Sequence, residues 1–156
     1  MSHPDFNLRR AESAADAETL LRLIEKLAEF ERLAPPDEGA RERFVRDGFD
    51  RKPPRFEAWL AEDAGGQAIG YALFFETYST FLCRPTLYLE DLFVLPDYRG
   101  RGIGKALMNQ CIQLARDRGC GRMEWACLDW NVKAQAFYHS LGAQKQTEWN
   151  LYRLVF

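Results

Sequence analysis

The segment Leu92-Phe93-Val94-Leu95-Pro96-Asp97-Tyr98-Arg99-Gly100-Arg101-Gly102-Ile103-Gly104-Lys105 runs from an apolar strand end, through a turn, into a glycine-rich loop with two arginines. Beyond it, Ile103, Leu107, Cys111, Leu114 and Ala115 recur at three- and four-residue spacing, the mark of an amphipathic helix. That helix opens near Gly102 and Gly119 ends it. A helix N-terminus carries unsatisfied N–H groups and partial positive charge, so a loop leading into it suits a phosphate anion. Glycines let the backbone approach such a ligand, and Arg99 and Arg101 can add charge-assisted bonds.

Outward from this loop the chain reads as alternating element types. Upstream, Phe56–Glu62, Ile69–Tyr78 and Thr86–Val94 are rich in aromatic and branched residues, as half-buried strands require. Gly65-Gly66 between the first two signals a hairpin. Phe6–Arg10 reads as a first strand. A helix then follows, capped by Ser13 or Asp16, with Leu20, Leu21, Ile24, Leu27 and Ala28 on one face. It must stop before Pro35-Pro36. A second, basic helix is expected around Glu38–Arg46, ended by Gly48. Downstream, Met123–Cys127 reads as a strand, Val132–Leu141 as a short helix and Glu148–Phe156 as a last strand. The order βααβββαβαβ predicts one α/β domain over residues 1–156, built on a mixed sheet.

Composition narrows the function classes. With 156 residues, 47% hydrophobic, the chain can bury roughly 68–70% of its unfolded surface without disulfide staples. A net charge of -2 advertises no nucleic-acid partner. The basic cluster Arg41, Arg43, Arg46, Arg51, Lys52 and Arg55 is interleaved with Glu42, Asp47 and Asp50, which reads as a solvated face. No apolar run is long enough to span a membrane, and Met1-Ser2-His3-Pro4-Asp5 lacks a leader pattern, so a cytoplasmic location is expected. Cys83, Cys111, Cys120 and Cys127 form no CxxC, and the two histidines are His3 and His139. No metal is expected, and Cys111 and Cys127 read as small core hydrophobes.

The phosphate ligand can be narrowed. A Walker A loop fails because Arg99 replaces its first glycine and Ala106 follows Lys105. The dinucleotide fingerprint fails because its third glycine falls on Lys105. A glycine-rich turn that merely starts a helix stays open from the loop alone. What remains, Arg-x-x-Gly-x-Gly at Arg99, Gly102 and Gly104, resembles the acyl-CoA pyrophosphate loop of the GNAT superfamily of N-acetyltransferases. Tyr88 to Gly100, Asp129-Trp130-Asn131, Ala136-Phe137-Tyr138 and Leu141-Gly142-Ala143 are similar to its spermidine/spermine and thialysine branch. So are Leu27 to Glu31 and Asp47-Gly48-Phe49. The resemblance extends from about Leu20 to Tyr152.

This resemblance implies the GNAT fold and direct acetyl transfer from acetyl-CoA, a cosubstrate, to a primary amine of a small molecule of polyamine or diamine type. A thialysine or amino-acid side chain is the alternative acceptor, and a non-catalytic acyl-CoA-binding regulator the alternative class. It implies that the main chain of Leu92, Phe93 and Val94 holds the pantetheine arm. Arg99, Gly100, Arg101, Gly102, Ile103, Gly104 and Lys105 would bind the pyrophosphate. Asn131 would contact the cofactor, or serve only as a helix N-cap. Tyr138 would be the general acid for the leaving thiolate, its other reading being a core tyrosine beside Phe137. Glu90 would be base or acceptor ligand. Strand alternation turns it away from Asp91, whose bland reading is an exposed or dimer-contact charge. Phe30, Glu31 and Glu148 would line the acceptor site, although Glu31 could equally be a solvated helix residue. Relatives in this branch imply a homodimer, with Trp149–Phe156 as a contact surface.

Overall fold

A computed structural model describes residues 5–156; His3 and the rest of the Met1–Pro4 stretch lie outside the described residues. Those up to Trp125 form one compact unit and Ala126–Phe156 a second.

The first unit opens with β1 (Phe6–Arg10) and α1 (Ala14–Glu31). Ser13 caps α1: its side chain accepts from the Asp16 N–H, and the Asp16 carboxylate accepts from the Ser13 N–H, a capping box. Asp16 also accepts two bonds from Arg9, at 2.7 and 3.1 Å. That guanidinium holds the Asp16 carboxyl far below the usual carboxylate range. Arg32, at φ 58°, ends α1 well before the proline pair.

α2 (Ala40–Val45) continues into a π-helical turn over Arg46–Asp50. Gly48 therefore lies inside the helical run and does not end it, contrary to expectation. The reason is packing: a Cβ on Gly48 would fall 2.3 Å from the Phe56 ring, and Phe44 stacks on Phe56 at 4.7 Å. The basic residues here carry partners. Arg41 pairs with Glu18, Arg43 with Asp37, and Arg46 and Arg55 with Asp47.

The sheet comprises β1, β2 (Glu57–Asp63), β3 (Ala68–Ser79), β4 (Arg84–Val94) and β5 (Arg122–Trp125), in that spatial order. All pairings are antiparallel except β4 with β5, which α3 (Ile103–Asp117) joins as a crossover. Leu20 and Leu23 of α1 cluster with Ala58, Leu60, Tyr71, Leu73 and Phe93. Against β3 and β4, α3 buries Ile103, Leu107, Met108 and Cys111. Cys111 is thus a core residue, and burial pushes its thiol up to about 12. Cys127 is not: β5 stops at Trp125, and Cys127 is exposed beyond it.

The second unit holds α4 (Val132–Ser140). The strand expected over Glu148–Phe156 does not form, so the observed order is βααβββαβα. A strand needs a ladder partner, and this unit contains no other strand to supply one. Trp149, Leu151, Tyr152, Leu154, Val155 and Phe156 are left exposed. Among the described residues no helix is long and apolar enough to cross a membrane.

Candidate active site

Two strands diverge at the site. The pairing of β4 with β5 ends at Leu89 and Trp125, so among the described residues Glu90–Val94 have a strand partner on the β3 side only. The Leu95 N–H donates to the Ile69 carbonyl at 2.9 Å. In an antiparallel ladder, alternate residues turn their main-chain groups to the same neighbour. Phe93 therefore faces Tyr71 across the ladder, while Leu92 and Val94 turn their groups to the open edge. Of the three residues named for a strand-like ligand contact, Leu92 turns its N–H and carbonyl to that edge and Val94 its N–H, the Val94 carbonyl accepting from Arg99 at 2.9 Å. Phe93 has its main chain engaged by β3 and its side chain in the core.

The loop after β4 is open where an anion would sit. Gly100 and Gly102 adopt φ 78° and 82°, the left-handed region that favours glycine. Gly102 is the N-cap of α3 and no side chain caps it, so the first-turn N–H groups, from Ile103 through Gly104 to Lys105, keep their donors available. Lys105 is exposed on that turn. Arg101 is exposed as well; it lies 5.1 Å from the Tyr98 ring and donates to the Asp97 carbonyl. Arg99 points elsewhere, onto Phe30, Phe93 and the Val94 carbonyl. A free strand edge that runs into an uncapped helix N-terminus fits the amide arm and pyrophosphate of acyl-CoA. Among the described residues no His/Cys/Asp/Glu group could hold a metal ion.

Three carboxylates, Asp91, Glu31 and Glu90, act on the Tyr71 hydroxyl near this edge. Leu73 pairs with Asp91 and Phe74 with Leu89, so Glu90 is the extra residue of a β-bulge. The bulge interrupts the strict alternation on which the expected separation of Glu90 and Asp91 rests. Both now act on the Tyr71 hydroxyl, as does Glu31 at the end of α1. Asp91 is not the exposed charge its bland reading described. It is half-buried and accepts the Tyr71 O–H at 2.8 Å. Burial chiefly, then the Glu90 and Glu31 charges, push its carboxyl up to about 6. Burial also raises Glu31. Glu90 itself is exposed. Tyr71 and the role of Asp91 were missed in the sequence. Tyr71 sits in an apolar run, and only strand register brings it to Asp91.

In the second unit, Asn131 caps α4 by accepting the Ala134 N–H at 3.2 Å. The cap uses Oδ1, which leaves the side-chain amide N–H groups as donors. Tyr138 lies on α4, partly buried, its ring 5.6 Å from Phe137. Glu148 is exposed in the irregular segment after α4.

Comparison with known proteins agrees with this geometry. The model of the Acetyltransferase (GNAT) family matches residues 20–143, spanning both units. Thialysine N-epsilon-acetyltransferase of Bos taurus is 37% identical over 95% of this chain and 92% of its own length. A Homo sapiens spermidine/spermine N(1)-acetyltransferase-like protein is 32% identical over 95% of this chain and 22% of its own length. Among solved structures, a probable acetyltransferase superposes with TM-score 0.81 at 22% identity, covering 96% of this chain and 97% of that one. AAC(6')-Iy, solved with a CoA-containing bisubstrate analog, gives TM-score 0.77 at 24% identity, covering 99% and 100%. The chain belongs to the acetyltransferase (GNAT) family and is an N-acetyltransferase.

Proposed function

We propose that the protein acetylates a terminal primary amine of a small molecule that carries a second positive charge. The observation that carries this reading is the group of Glu31, Glu90 and Asp91 that acts on the Tyr71 hydroxyl near the open edge of β4. Acetyl-CoA, when bound, supplies the activated acetyl thioester. The main chain of Leu92 and the N–H of Val94 hold its amide arm, and the first turn of α3 with Arg101 and Lys105 receives the pyrophosphate. A protonated alkylamine, pKa ~10.4 by analogy with lysine, must lose a proton before it attacks. Glu90, an exposed carboxylate, meets it. Its neighbour Asp91 has raised proton affinity suited to an acceptor near neutral pH. Tyr138 donates to the leaving thiolate, and Asn131 hydrogen-bonds the cofactor. Phe30, Glu31 and Glu148 bind the rest of the acceptor.

The acceptor is either a polyamine-like diamine or an amino acid with an aminoalkyl side chain. The cattle relative favours the second, since its name specifies thialysine; an Arabidopsis thaliana relative, 45% identical over 55% of this chain and 38% of its own length, is an L-ornithine N5-acetyltransferase. Thiol release from acetyl-CoA, measured against putrescine, spermidine, ornithine, thialysine and a monoamine, tests the proposal. Preference for dications over the monoamine supports it, and equal kcat/KM for all would remove the carboxylates from acceptor recognition. The protein is further proposed to be a homodimer through Trp149–Phe156, whose exposed apolar side chains support that reading. Light scattering should give twice the chain mass, and the mass of one chain after deletion of residues 149–156.

A further inference from the structure

We propose that Arg99 is a positioning residue, not a phosphate ligand: it joins the end of α1 to the end of β4, so that acceptor wall and acyl-CoA strand are held as one piece. The proposal rests on the acetyl-transfer reading above for its kinetic consequence, though not for its structural one. The Arg99 guanidinium lies 4.5 Å from the Phe30 ring centroid and 5.5 Å from that of Phe93. Its Nε–H donates to the Val94 carbonyl at 2.9 Å. That carbonyl belongs to the open edge, so the bond occupies a main-chain acceptor that the ladder leaves without a partner. Among the described residues no carboxylate lies within ion-pair distance of Arg99.

Each contact has a physical reason. Arginine stacks on aromatic faces and gains most from doing so where water is partly excluded. Arg99 reaches α1 at Phe30, next to the last helical residue Glu31 and the C-cap Arg32. Phe30 and Phe93 also approach each other at 6.4 Å. Displacing Phe30 therefore displaces Glu31 relative to Asp91 and Tyr71, the groups whose ionisation it influences. Arg101 and Lys105, exposed like Arg99, remain the loop cations that do not bond the β4 edge.

The test compares Arg99→Met, Arg99→Lys and Phe30→Leu with two acyl donors, acetyl-CoA and S-acetylpantetheine, the second lacking the pyrophosphate. Arg99→Met should raise acceptor KM and lower kcat by roughly 3- to 30-fold in kcat/KM with either donor. Its Kd for CoA by calorimetry should change less than about threefold. Arg99→Lys should recover part of the loss, and Phe30→Leu should add little to Arg99→Met, as one shared contact requires. A tenfold loss of CoA affinity in Arg99→Met, with wild-type turnover of S-acetylpantetheine, would overturn the proposal. Amide hydrogen exchange reads the linkage without any substrate. Arg99→Met and Phe30→Leu should both speed exchange at residues 28–31 and 92–95 together. Faster exchange confined to 96–102 would also overturn it. Absence of acetyl transfer in the wild-type protein would instead strike the functional reading, leaving the exchange result to decide this one.

Discussion

The Tyr71 hydroxyl donates to Asp91 Oδ2 at 2.8 Å, joining neighbouring strands behind the open edge of β4. Burial and the nearby Glu90 and Glu31 charges raise the Asp91 carboxyl to about 6, and the Tyr71 bond opposes that rise. The same carboxylate, with burial, holds Tyr71 firmly protonated. Tyr71 is therefore a fixed donor, and Asp91 is the titrating partner.

Tyr71→Phe removes the one interaction that lowers the Asp91 pKa and leaves its causes of elevation in place. The acid limb of kcat/KM should then move from near pH 6 to higher pH. A hydrogen bond to a charged group is worth about 1.5–3 kcal/mol, which corresponds to roughly one to two pH units. A pH–rate profile with one monoamine measures it. An unmoved limb would show that another group titrates.

Asp91→Asn should stabilise the fold near neutral pH while it lowers turnover. The folded-state pKa lies above the unfolded one, so the folded chain binds the extra proton between about pH 4 and pH 6. Stability consequently falls as pH rises through that window, and the cost persists above it. Its size is on the order of 2–3 kcal/mol. Urea unfolding at pH 8 should show a gain for Asp91→Asn that shrinks towards pH 4. A gain independent of pH would mean the ionised carboxylate carries no such cost.

Asp16 supplies the opposite sign. Arg9 depresses its pKa below the unfolded value, so its contribution is present above about pH 4 and is lost as pH falls further. Asp16→Ala removes the capping box and leaves Arg9 with Glu62 as its ion-pair partner, and should cost about 1–2 kcal/mol at pH 7. The difference from wild type should narrow in acid, as equilibrium denaturation at pH 7 and pH 3 would record.

Tyr138→Phe keeps the ring and removes the donor, so kcat should fall by about 10²- to 10⁴-fold with CoA affinity retained. Glu90→Gln should behave differently. If Glu90 takes the amine proton, its loss of activity should shrink as pH rises. If it only binds a second ammonium, the change should fall on KM for diamines alone. Full activity of Tyr138→Phe at every pH would leave that residue as packing beside Phe137.

Gly70→Ala places a Cβ 2.8 Å from the Phe93 carbonyl oxygen. Backbone cannot swing away as a side chain can, so β3 and β4 must separate locally. The expected result is a lower melting temperature together with weaker CoA binding, since the strand that shifts carries Leu92 and Val94. Calorimetry with and without CoA checks both. Unchanged CoA affinity would place the binding edge elsewhere.

Much of this arrangement was legible in one dimension because its cause is local. Ser13 and Asp16 close a capping box within four residues, and Gly102 precedes its helix directly. The strand–loop–helix unit from Leu92 to Asp117 announces itself through period, glycine placement and charge. The helix interruption at Gly48 was misread because Phe56, eight residues later, sets the packing there. The strand at Glu148–Phe156 was misread because alternating apolar residues state a capacity to pair, while a ladder also needs a neighbour.

The acidic site shows the same division at the level of chemistry. That Glu90 and Asp91 are adjacent carboxylates at a strand end is written in the chain, and so is the anion loop beyond them. Which way they face is not, because a single bulge opposite Leu73 and Phe74 interrupts the alternation on which that reading depends. Tyr71 and Glu31 reach Asp91 only through strand register and the docking of α1, contacts between segments 20 to 60 residues apart. Proton affinity depends on burial and on the distance between charges, and both are properties of the folded chain.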